Sequence, residues 1–600
     1  MQDLKDQLKK VIQDLYGLDF EPEITPSPEN VEADYSTNVS LKLAKELHKN
    51  PMEIGEELQN ALKAGGADRG TPKMFFEEKI LGENRRQDPP REHLFITPPG
   101  FLNFVLSDNY LSSKIDSLSE NFDKSIILDE YKGKTVICEF SDPNPFKVLH
   151  VGHLYTSIVG DAISNLFEYA GAKVVRANFG GDVGLHVAKT MYVLRQKNPE
   201  ELQIEDIAKC YVEGTALYDD DEKAHQEITT LNKEIYKINS ENLHDSELAK
   251  LYWRGRELSY DYFKKFYDSI GVKFDKYYPE STVAALGLKT VREQLENGVY
   301  EKSAGAVIFN GDKYGLHTRV FINKEGVPTY EAKDVGLIFT KWQDYHFDKS
   351  VVITGSEQLD YMKVVLKSVE QYAPELVEKT AHLTHGLVKL PGNVKMSSRK
   401  GNFLKAVDVL GMVKDELKQE YDTEDSAISL AATKYAFLKY KMGGDIIFDP
   451  KESVKMTGNS GPYLLYSAVR AKKILSKAEG PESKIRASMC DQRGALASAA
   501  RNDGPARSGE RELTFEPSER ALMKKLLEYK GVLQDAATEM APHKLANYLY
   551  ELAQCFSRFY ENCPVAGSSQ EKARLKLVQV YLETMTHGLK ILDINIPEEM

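Results

Sequence analysis

The pattern of apolar and polar positions is clearest between residues 134 and 179, where it predicts a strand, a helix and a second strand. Residues 134–140 are rich in β-branched and apolar side chains, and two prolines follow. Apolar residues then recur at helical spacing until Gly171, and residues 172–179 have the composition of a buried strand. Parallel pairing in such a βαβ unit places the first turn at the carboxyl edge of the sheet, where ligands bind.

The turn of this unit contains His150-Val151-Gly152-His153 at the predicted start of the helix. First-turn amides have no partner inside a helix, so we expect a phosphate group to bind there, with Gly152 allowing its close approach. His150 and His153 lie three residues apart, on one face, and can donate hydrogen bonds to the phosphate oxygens. Two partly buried histidines with ordinary partners would give the same pattern. A metal pair is disfavoured, because metal-binding helical histidines usually lie four apart beside an acidic ligand.

A second segment, Lys395-Met396-Ser397-Ser398-Arg399-Lys400-Gly401-Asn402, follows the turn-forming Pro391-Gly392-Asn393. It concentrates cations and hydroxyls that can close over a triphosphate, although clusters of this kind are most often solvated surface. Together and in this order, the two segments resemble the HIGH and KMSKS motifs of class I aminoacyl-tRNA synthetases.

Residues between and beyond the two motifs resemble one member of that class, the arginyl-tRNA synthetases, over most of the chain. The similar stretches are Glu139-Phe140-Ser141-Asp142-Pro143-Asn144, Gly180-Gly181-Asp182-Val183-Gly184, Pro328-Thr329-Tyr330 with Asp334, Ser356-Glu357-Gln358, Gly461-Pro462-Tyr463 and the end of the chain, 594–600. The resemblance implies that arginine and ATP form arginyl adenylate, and that the arginyl group then passes to the 2′-hydroxyl of the terminal adenosine of tRNA. It also implies that bound tRNA is needed for the first step.

The resemblance assigns roles residue by residue. Arginine would be bound by Glu139, Asp142, Asn144, His153, Tyr330, Asp334 and Gln358. Catalysis would involve His150, His153, Lys395 and Lys147. ATP would be bound by His150, Gly152, His153, Val394, Lys395, Met396, Ser397, Ser398 and Lys400. No residue is assigned to a protein-bound metal, and Mg²⁺ would screen the polyphosphate.

The residue types suit arginine as the ligand. A guanidinium presents donors in a planar fork, so a pocket with Glu139 and Asp334 would bind it and reject uncharged analogues. Tyr330 lies one helical turn from Asp334, so its ring could stack on the same ligand. Asp334 could instead be a solvated helix charge, and Glu139 a strand-end residue.

Two positions depart from the family. Arg399 stands where the general motif has a second lysine, and Lys147 would supply the phosphate contact in compensation. Asp142 stands where serine is more common. A carboxylate beside the triphosphate would be costly unless it points at the ammonium of arginine or away from the phosphates.

The chain is predicted to be an α/β protein of three blocks with a connector. Residues 1–110 resemble an additional α+β domain that contacts tRNA, with Asn103 and Phe104 as candidate base contacts; a buried turn is the equal alternative. Residues 125–410 would form a Rossmann-like parallel-sheet catalytic domain with a helical insertion at about 190–285. Residues 411–454 would form a helical connector, and 455–600 an all-α helical bundle that binds the anticodon.

Composition limits the class of protein but does not identify what it binds. The 600 residues include 91 acidic and 78 basic side chains, which gives a net charge of −13. This charge argues against non-specific binding along nucleic acid, so a tRNA would have to be bound by local basic patches. The 5 cysteines contain no Cys-x-x-Cys pair, and no apolar run approaches the length of a membrane span. We therefore expect a cytoplasmic enzyme with no membrane partner. We also expect a monomer, which composition does not establish.

Two other enzymes fit part of the pattern. Another class I aminoacyl-tRNA synthetase would share both motifs, and a small-molecule adenylyltransferase would share the His-x-Gly-His turn. A catalytically silent tRNA-binding relative is the non-enzyme alternative, which the intact His150, His153 and Lys395 disfavour.

Overall fold

The computed structural model describes residues 2–28, 30–65, 93–392, 404–479 and 514–600, and these form two compact units. The first unit comprises Met1–Ile126, Ala471–Lys530 and Leu552–Thr584, and the second comprises Ile127–Arg470, Gly531–Glu551 and Met585–Met600. Among the described residues, no helix is both long enough and apolar enough to cross a membrane.

The described residues contain fourteen strands, most of them before residue 390, and the chain after that point is mainly helical. The strands are β1 Thr25–Pro26, β2 Tyr35–Thr37, β3 Leu94–Thr97, β4 Phe101–Phe104, β5 Thr135–Glu139, β6 Lys173–Gly180, β7 Lys276–Pro279, β8 Glu301–Ser303, β9 Ala306–Phe309, β10 Arg319–Ile322, β11 Lys349–Gly355, β12 Thr380–His385, β13 Val388–Lys389 and β14 Ile446–Ile447. The α-helices up to the last strand of the large sheet are α1 Gln2–Tyr16, α2 Val39–Leu47, α3 Pro51–Gly65, α4 Asp108–Glu120, α5 Phe122–Ile126, α6 Val151–Tyr169, α7 Leu185–Lys197, α8 Ile204–Asp220, α9 Glu222–Ser240, α10 Glu247–Ile270, α11 Glu280–Glu296, α12 Tyr330–Tyr345, α13 Leu359–Glu370 and α14 Pro374–Glu378. The helices that follow are α15 Ala406–Tyr421, α16 Ser426–Leu438, α17 Pro450–Ser453, α18 Gly461–Glu479, α19 Pro517–Leu527, α20 Tyr529–Thr538, α21 Pro542–Asn562 and α22 Glu571–Ile591.

The first unit contains an antiparallel sheet in the order β1-β2-β4-β3, with helices beside it. A charge network links its sheet segment to α19: Arg520 pairs with Asp34 and Asp108, and Lys524 also pairs with Asp34 at 2.6 Å. Because Asp34 is largely buried and accepts from two cations, this network ties the early part of the chain to a helix nearly 500 positions later.

The second unit is built on a parallel sheet in the order β12-β11-β5-β6-β7. The predicted βαβ unit is present as β5, α6 and β6. Because β5 lies at the centre with β11 and β6 on either side, the segments that follow these strands emerge at one edge of the sheet. The predicted fold class, with a parallel-sheet α/β domain and a helical C-terminal part, is confirmed.

Helices α7 to α10 pack around an apolar core of their own, which includes Val187, Ile207, Ile228 and Tyr252. They occupy most of the range in which the sequence predicts a helical insertion. The domain boundaries drawn from the sequence stay predictions.

Helices α11 and α12 approach each other through glycines. A Cβ added at Gly287 would lie 1.8 Å from the carbonyl oxygen of Ala332, and one added at Gly336 would lie 2.2 Å from that of Val283. The two backbones are therefore in direct contact, which brings the start of α12 beside the start of α11.

We predict that Gly287→Ala destabilises the protein by about 1–3 kcal/mol, because the new methyl forces α11 and α12 apart in a packed core. Thermal unfolding followed by circular dichroism would show a lower midpoint. Gly411→Ala in α15 is the matched control, since nothing lies within 4 Å of its added Cβ. That control should be neutral or stabilising by up to about 1 kcal/mol. Equal midpoints for the two variants would contradict the close helix contact.

Candidate active site

A cavity of about 890 Å³ lies at the carboxyl edge of the parallel sheet in the second unit. Its lining combines the segment after β5, the start of α6, the start of α12 and the end of β11. The sequence-predicted site residues that line it are Glu139, Asp142, Asn144, His150, Gly152, His153, Tyr330, Asp334 and Gln358. Nine predicted residues from three distant stretches therefore share one cavity, although the role of each stays a prediction.

Lys147 lines a smaller neighbouring cavity of about 110 Å³, together with Asn144, His150 and His153. Its ammonium lies 4.6 Å from the centre of the Tyr211 ring of α8. This cation–π contact keeps the charge beside the turn before α6.

The predicted residues of the Lys-Met-Ser-Ser segment lie outside the described residues. These are Val394, Lys395, Met396, Ser397, Ser398 and Lys400.

The two histidines cap α6 reciprocally. Nδ1 of His150 accepts from the backbone N–H of Gly152 at 3.1 Å, and Nδ1 of His153 accepts from the backbone N–H of His150 at 3.1 Å. An imidazole whose Nδ1 accepts a hydrogen bond has its proton on Nε2 when neutral. Both histidines are therefore Nε2–H donors.

Burial keeps both rings neutral. It lowers the pKa of His150 to about 4, with a further contribution from the nearby positive charge of Lys147. The pKa of His153 is lowered well below its usual range, again mainly by burial. Near neutral pH these side chains can donate hydrogen bonds but contribute no positive charge.

The first-turn amides of α6 differ from the sequence expectation, which left them open to a phosphate. Val151 N–H donates to the carbonyl of Leu404 at 2.9 Å, Gly152 N–H donates to His150, and His153 N–H donates to the carbonyl of His150. A Cβ at Gly152 would lie 2.8 Å from Cε1 of His150. Gly152 therefore makes room for the His150 ring, and the hydrogen-bond donors offered by this turn are side chains.

The carboxylates of the cavity differ in what neutralises them. Glu139 is buried and pairs with the buried ammonium of Lys341 at 2.7 Å, which also donates to Ser350 at 3.0 Å. Asp334 is only 8% exposed and accepts from the hydroxyl of Tyr361. Glu139 thus has a resident cation, whereas the partner of Asp334 is neutral.

Burial raises the pKa of Asp334 to about 8, and the negative charges of Glu139, Glu280 and Glu331 add to the increase, against the lowering effect of the Tyr361 hydroxyl. Burial likewise raises the pKa of Asp142 well above its usual range, with Glu139 as the next cause. The side chain of Asp142 accepts from the N–H of Phe179 at 2.8 Å. It is therefore bound to the backbone of β6.

The remaining predicted residues have distinct surroundings. Oδ1 of Asn144 accepts from the N–H of Gly181 at 2.7 Å. Tyr330 is 50% exposed, and the centre of its ring lies 5.1 Å from the ammonium of Lys333, which pairs with buried Glu280 at 2.6 Å. Gln358 ends a short 3₁₀ helix and is exposed at the cavity.

The lining is acidic overall. Its ionisable carboxyl groups are Glu139, Asp142, Glu280, Glu331, Asp334 and Glu357, and its cations are Arg319 and Lys389. Because carboxylates outnumber cations, the cavity suits a positively charged ligand.

Sequence reasoning missed Lys341, Tyr361 and Arg319. Lys341 lies seven residues after Asp334, on the same face of α12, and Tyr361 lies on the buried face of α13. A charged or hydroxyl-bearing side chain on an otherwise apolar helix face is the signal that would have identified the first two. Arg319 had no such signal, because strand β10 is short and partly exposed.

The proposed tRNA contacts, Asn103 and Phe104, lie on β4 in the first unit, and both are buried. Asn103 accepts from Ser36 at 2.6 Å and donates to Thr97 at 3.0 Å. In this structure both side chains are internal to the sheet, which matches the buried alternative more closely. Their assignment to tRNA binding stays a prediction.

We predict that Lys341→Met destabilises the protein by about 3–5 kcal/mol, because it leaves the Glu139 carboxylate buried without a countercharge. The double variant Lys341→Met/Glu139→Gln should recover much of the loss. The measurement is the unfolding temperature of each variant.

The matched control is Lys264→Met, which removes one partner of an exposed ion pair with Asp268 on α10 and should change stability by less than about 1 kcal/mol. A Lys341→Met protein as stable as this control would show that the buried pair is not needed.

Three family models match successive parts of the chain. "tRNA synthetases class I (R), catalytic domain" matches residues 118–449, "DALR anticodon binding domain" matches residues 464–600, and "Arginyl tRNA synthetase N terminal domain" matches residues 2–69. The catalytic-domain match includes the whole cavity described above. The presence of all three disfavours a small-molecule adenylyltransferase and a class I synthetase for another amino acid.

Relatives that match over nearly their whole length support the same family. An arginine–tRNA ligase of Treponema denticola is 29% identical over 98% of this chain and 97% of its own length. One of Clostridium perfringens is 26% identical over 96% of this chain and 95% of its own length. The arginyl-tRNA synthetase structure of Thermus thermophilus has the same fold, with a TM-score of 0.74 at 22% identity and complete coverage of both chains. Because the catalytic-domain model spans more than half of the sequence, the chain belongs to the arginyl-tRNA synthetase family of class I aminoacyl-tRNA synthetases.

Proposed function

We propose that this enzyme, which charges tRNA with L-arginine, does so by way of an arginyl adenylate. The observation that supports this most directly is the acidic cavity, in which Asp334 and the two Nε2–H histidines lie together at one edge of the sheet. A cationic amino acid and the phosphates of ATP would then occupy neighbouring parts of one space.

In the first step, a carboxylate oxygen of arginine forms a bond to the α-phosphorus of ATP, and the bond to the pyrophosphate oxygen breaks. The carboxylate is already a nucleophile, so no general base is required, and the protein contributes positioning and charge stabilisation. His150 and His153, held neutral by burial, would donate to phosphate oxygens, and Lys147 would add positive charge from the neighbouring cavity.

Lys395 is proposed from the sequence to stabilise the leaving pyrophosphate. Mg²⁺ enters the proposal as the counterion that ATP brings with it.

The guanidinium of arginine is proposed to bind Asp334, with the ring of Tyr330 beside it. The α-amino and α-carboxylate groups of arginine would then lie near Asn144, Asp142 and Gln358. The low exposure of Asp334 supports this role, because an ion pair is stronger where water is excluded. An uncharged isostere such as citrulline would leave a buried acidic group without its partner, so it should be rejected.

In the second step, the oxygen of the 2′-hydroxyl of the terminal adenosine bonds to the arginyl carbonyl carbon, and the bond from that carbon to the phosphate oxygen breaks. AMP leaves, and the hydroxyl proton passes to its phosphate. The segment matched by the anticodon-binding model is proposed to bind the anticodon stem and loop of tRNA. A monomeric enzyme that acts in the cytoplasm stays the prediction from the sequence.

We predict that ATP–pyrophosphate exchange occurs with arginine, requires tRNA, and is not supported by citrulline or the other nineteen amino acids. Asp334→Ala should raise the KM for arginine at least about a hundredfold, because it removes a hydrogen-bonded charge partner. The KM for ATP should change by less than about threefold, because Asp334 is not among the residues proposed to bind ATP.

The control is Asp360→Ala at the start of α13, where the carboxylate is exposed and pairs with Lys363. It should behave as the unchanged enzyme. If Asp334→Ala weakened ATP and arginine equally, the pocket assignment would be wrong.

We also predict that arginine binds more tightly as pH rises towards 8. Below this value Asp334 is mostly protonated in the free enzyme, because burial has raised its pKa to about 8. Binding of the guanidinium then has to release that proton, so the KM for arginine should fall up to about tenfold per pH unit between pH 6 and 8 and level off above it. Calorimetry in buffers of different ionisation enthalpy would measure the released proton, and no proton release at pH 6.5 would count against the assignment.

A further inference from the structure

Tyr361 links the carboxylate proposed to bind arginine to a second, internal charge pair. Its hydroxyl donates to Oδ2 of Asp334, and its ring lies 5.2 Å from the guanidinium carbon of Arg319. Arg319 in turn pairs with Glu331 at 3.2 Å. All four side chains line the same cavity.

We infer that Tyr361 is a positioning residue for arginine recognition: its hydroxyl fixes the Asp334 carboxylate and leaves the other carboxylate oxygen to the guanidinium of the substrate. This inference rests on the proposed function, and it adds a specificity role for a residue that touches the binding carboxylate rather than the reacting atoms.

The neighbours of Asp334 set it apart from the other acids around it. Glu139 of β5 pairs with Lys341, Glu280 of α11 pairs with Lys333, and Glu331 of α12 pairs with Arg319 of β10. Asp142, in the segment after β5, accepts from a backbone N–H. Asp334 instead accepts from the hydroxyl of Tyr361 of α13.

A hydroxyl suits this position better than a cation. A resident lysine or arginine on Asp334 would satisfy the carboxylate permanently and repel an incoming guanidinium. A tyrosine hydroxyl donates one hydrogen bond, favours the ionised carboxylate, and adds no positive charge. Among the described residues Asp334 therefore has a neutral partner rather than a cationic one, and the negative charge that it acquires on ionising is left for the ligand to match.

The hydroxyl is held in its donor form and in a fixed place. Burial and the nearby carboxylates of Asp334 and Glu331 raise the pKa of Tyr361 well above its usual range, so the proton stays on the oxygen. The guanidinium of Arg319, anchored by Glu331, lies over the ring and limits its movement.

The test is the ratio of the KM for arginine in Tyr361→Phe to that in the unchanged full-length enzyme, measured by ATP–pyrophosphate exchange with tRNA from pH 6.5 to 9.5. The ionisation of arginine itself cancels in this ratio. We expect a ratio of about ten at pH 7, because loss of one hydrogen bond to a carboxylate favours its protonated form by about one pH unit.

The ratio should approach one by pH 9.5, where Asp334 is ionised in both proteins. The kcat and the KM for ATP should stay within about twofold, since Tyr361 does not contact the reacting atoms.

The matched control is Tyr372→Phe, which removes a hydroxyl that bonds the hydroxyl of Tyr300, away from the cavity. It should leave the KM for arginine unchanged at every pH. A ratio for Tyr361→Phe that is the same at all pH values, or that Tyr372→Phe reproduces, would show a merely structural role and overturn the inference. If the unchanged enzyme activates arginine normally and the KM ratio for Tyr361→Phe is one at every pH, the inference alone is overturned. If the unchanged enzyme shows no arginine-dependent exchange, the proposed function is overturned together with the inference.

Discussion

Compensation of negative charge at the carboxyl edge of the parallel sheet is the constraint on which the site depends. Several carboxylates converge there because β5, α11 and α12 all present acidic residues to one cavity. Buried carboxylates of like charge raise the cost of ionising one another, so each needs a partner. Lys341 and Lys333 supply two of those partners from inside the protein, and both are almost fully buried. The charge left to a ligand is what remains after this internal pairing.

The same constraint explains how the cavity would discriminate a cationic amino acid from an uncharged one under the proposed function. If every carboxylate had a resident cation, the site would be electrically complete and a charged substrate would gain little. If none had one, the folded protein would carry uncompensated buried charge at a cost of several kcal/mol per group. The observed arrangement lies between these limits. Glu139 and Glu280 each have a lysine partner, whereas Asp334 has a neutral hydroxyl. Under the proposed function, a guanidinium would supply the missing charge and donate to the carboxylate oxygen that Tyr361 leaves to it.

The side of the cavity that is proposed to bind phosphate is built on a different principle. There the two histidines satisfy backbone amides of the helix start and are kept neutral by burial, so they contribute directed donors without net charge. Positive charge comes from Lys147 in the adjoining cavity. Neutral donors held by the backbone need no reorganisation when charge develops on a phosphate, which is the condition for effective electrostatic stabilisation.

Several features of the fold and of the candidate site could be predicted from local sequence. The βαβ unit follows from apolar periodicity, the turn with His150 and His153 follows from its motif, and the family follows from the order of several motifs. These are short-range features, because period and motif act over a few residues. Only the tertiary structure decided the partners: Lys341 reaches Glu139 across 202 positions, and Val151 donates to Leu404. It also placed Asn103 inside a sheet, and it gave Asp334 a tyrosine from another helix. Which buried group meets which depends on how distant elements pack, and no local pattern in a single sequence encodes that pairing.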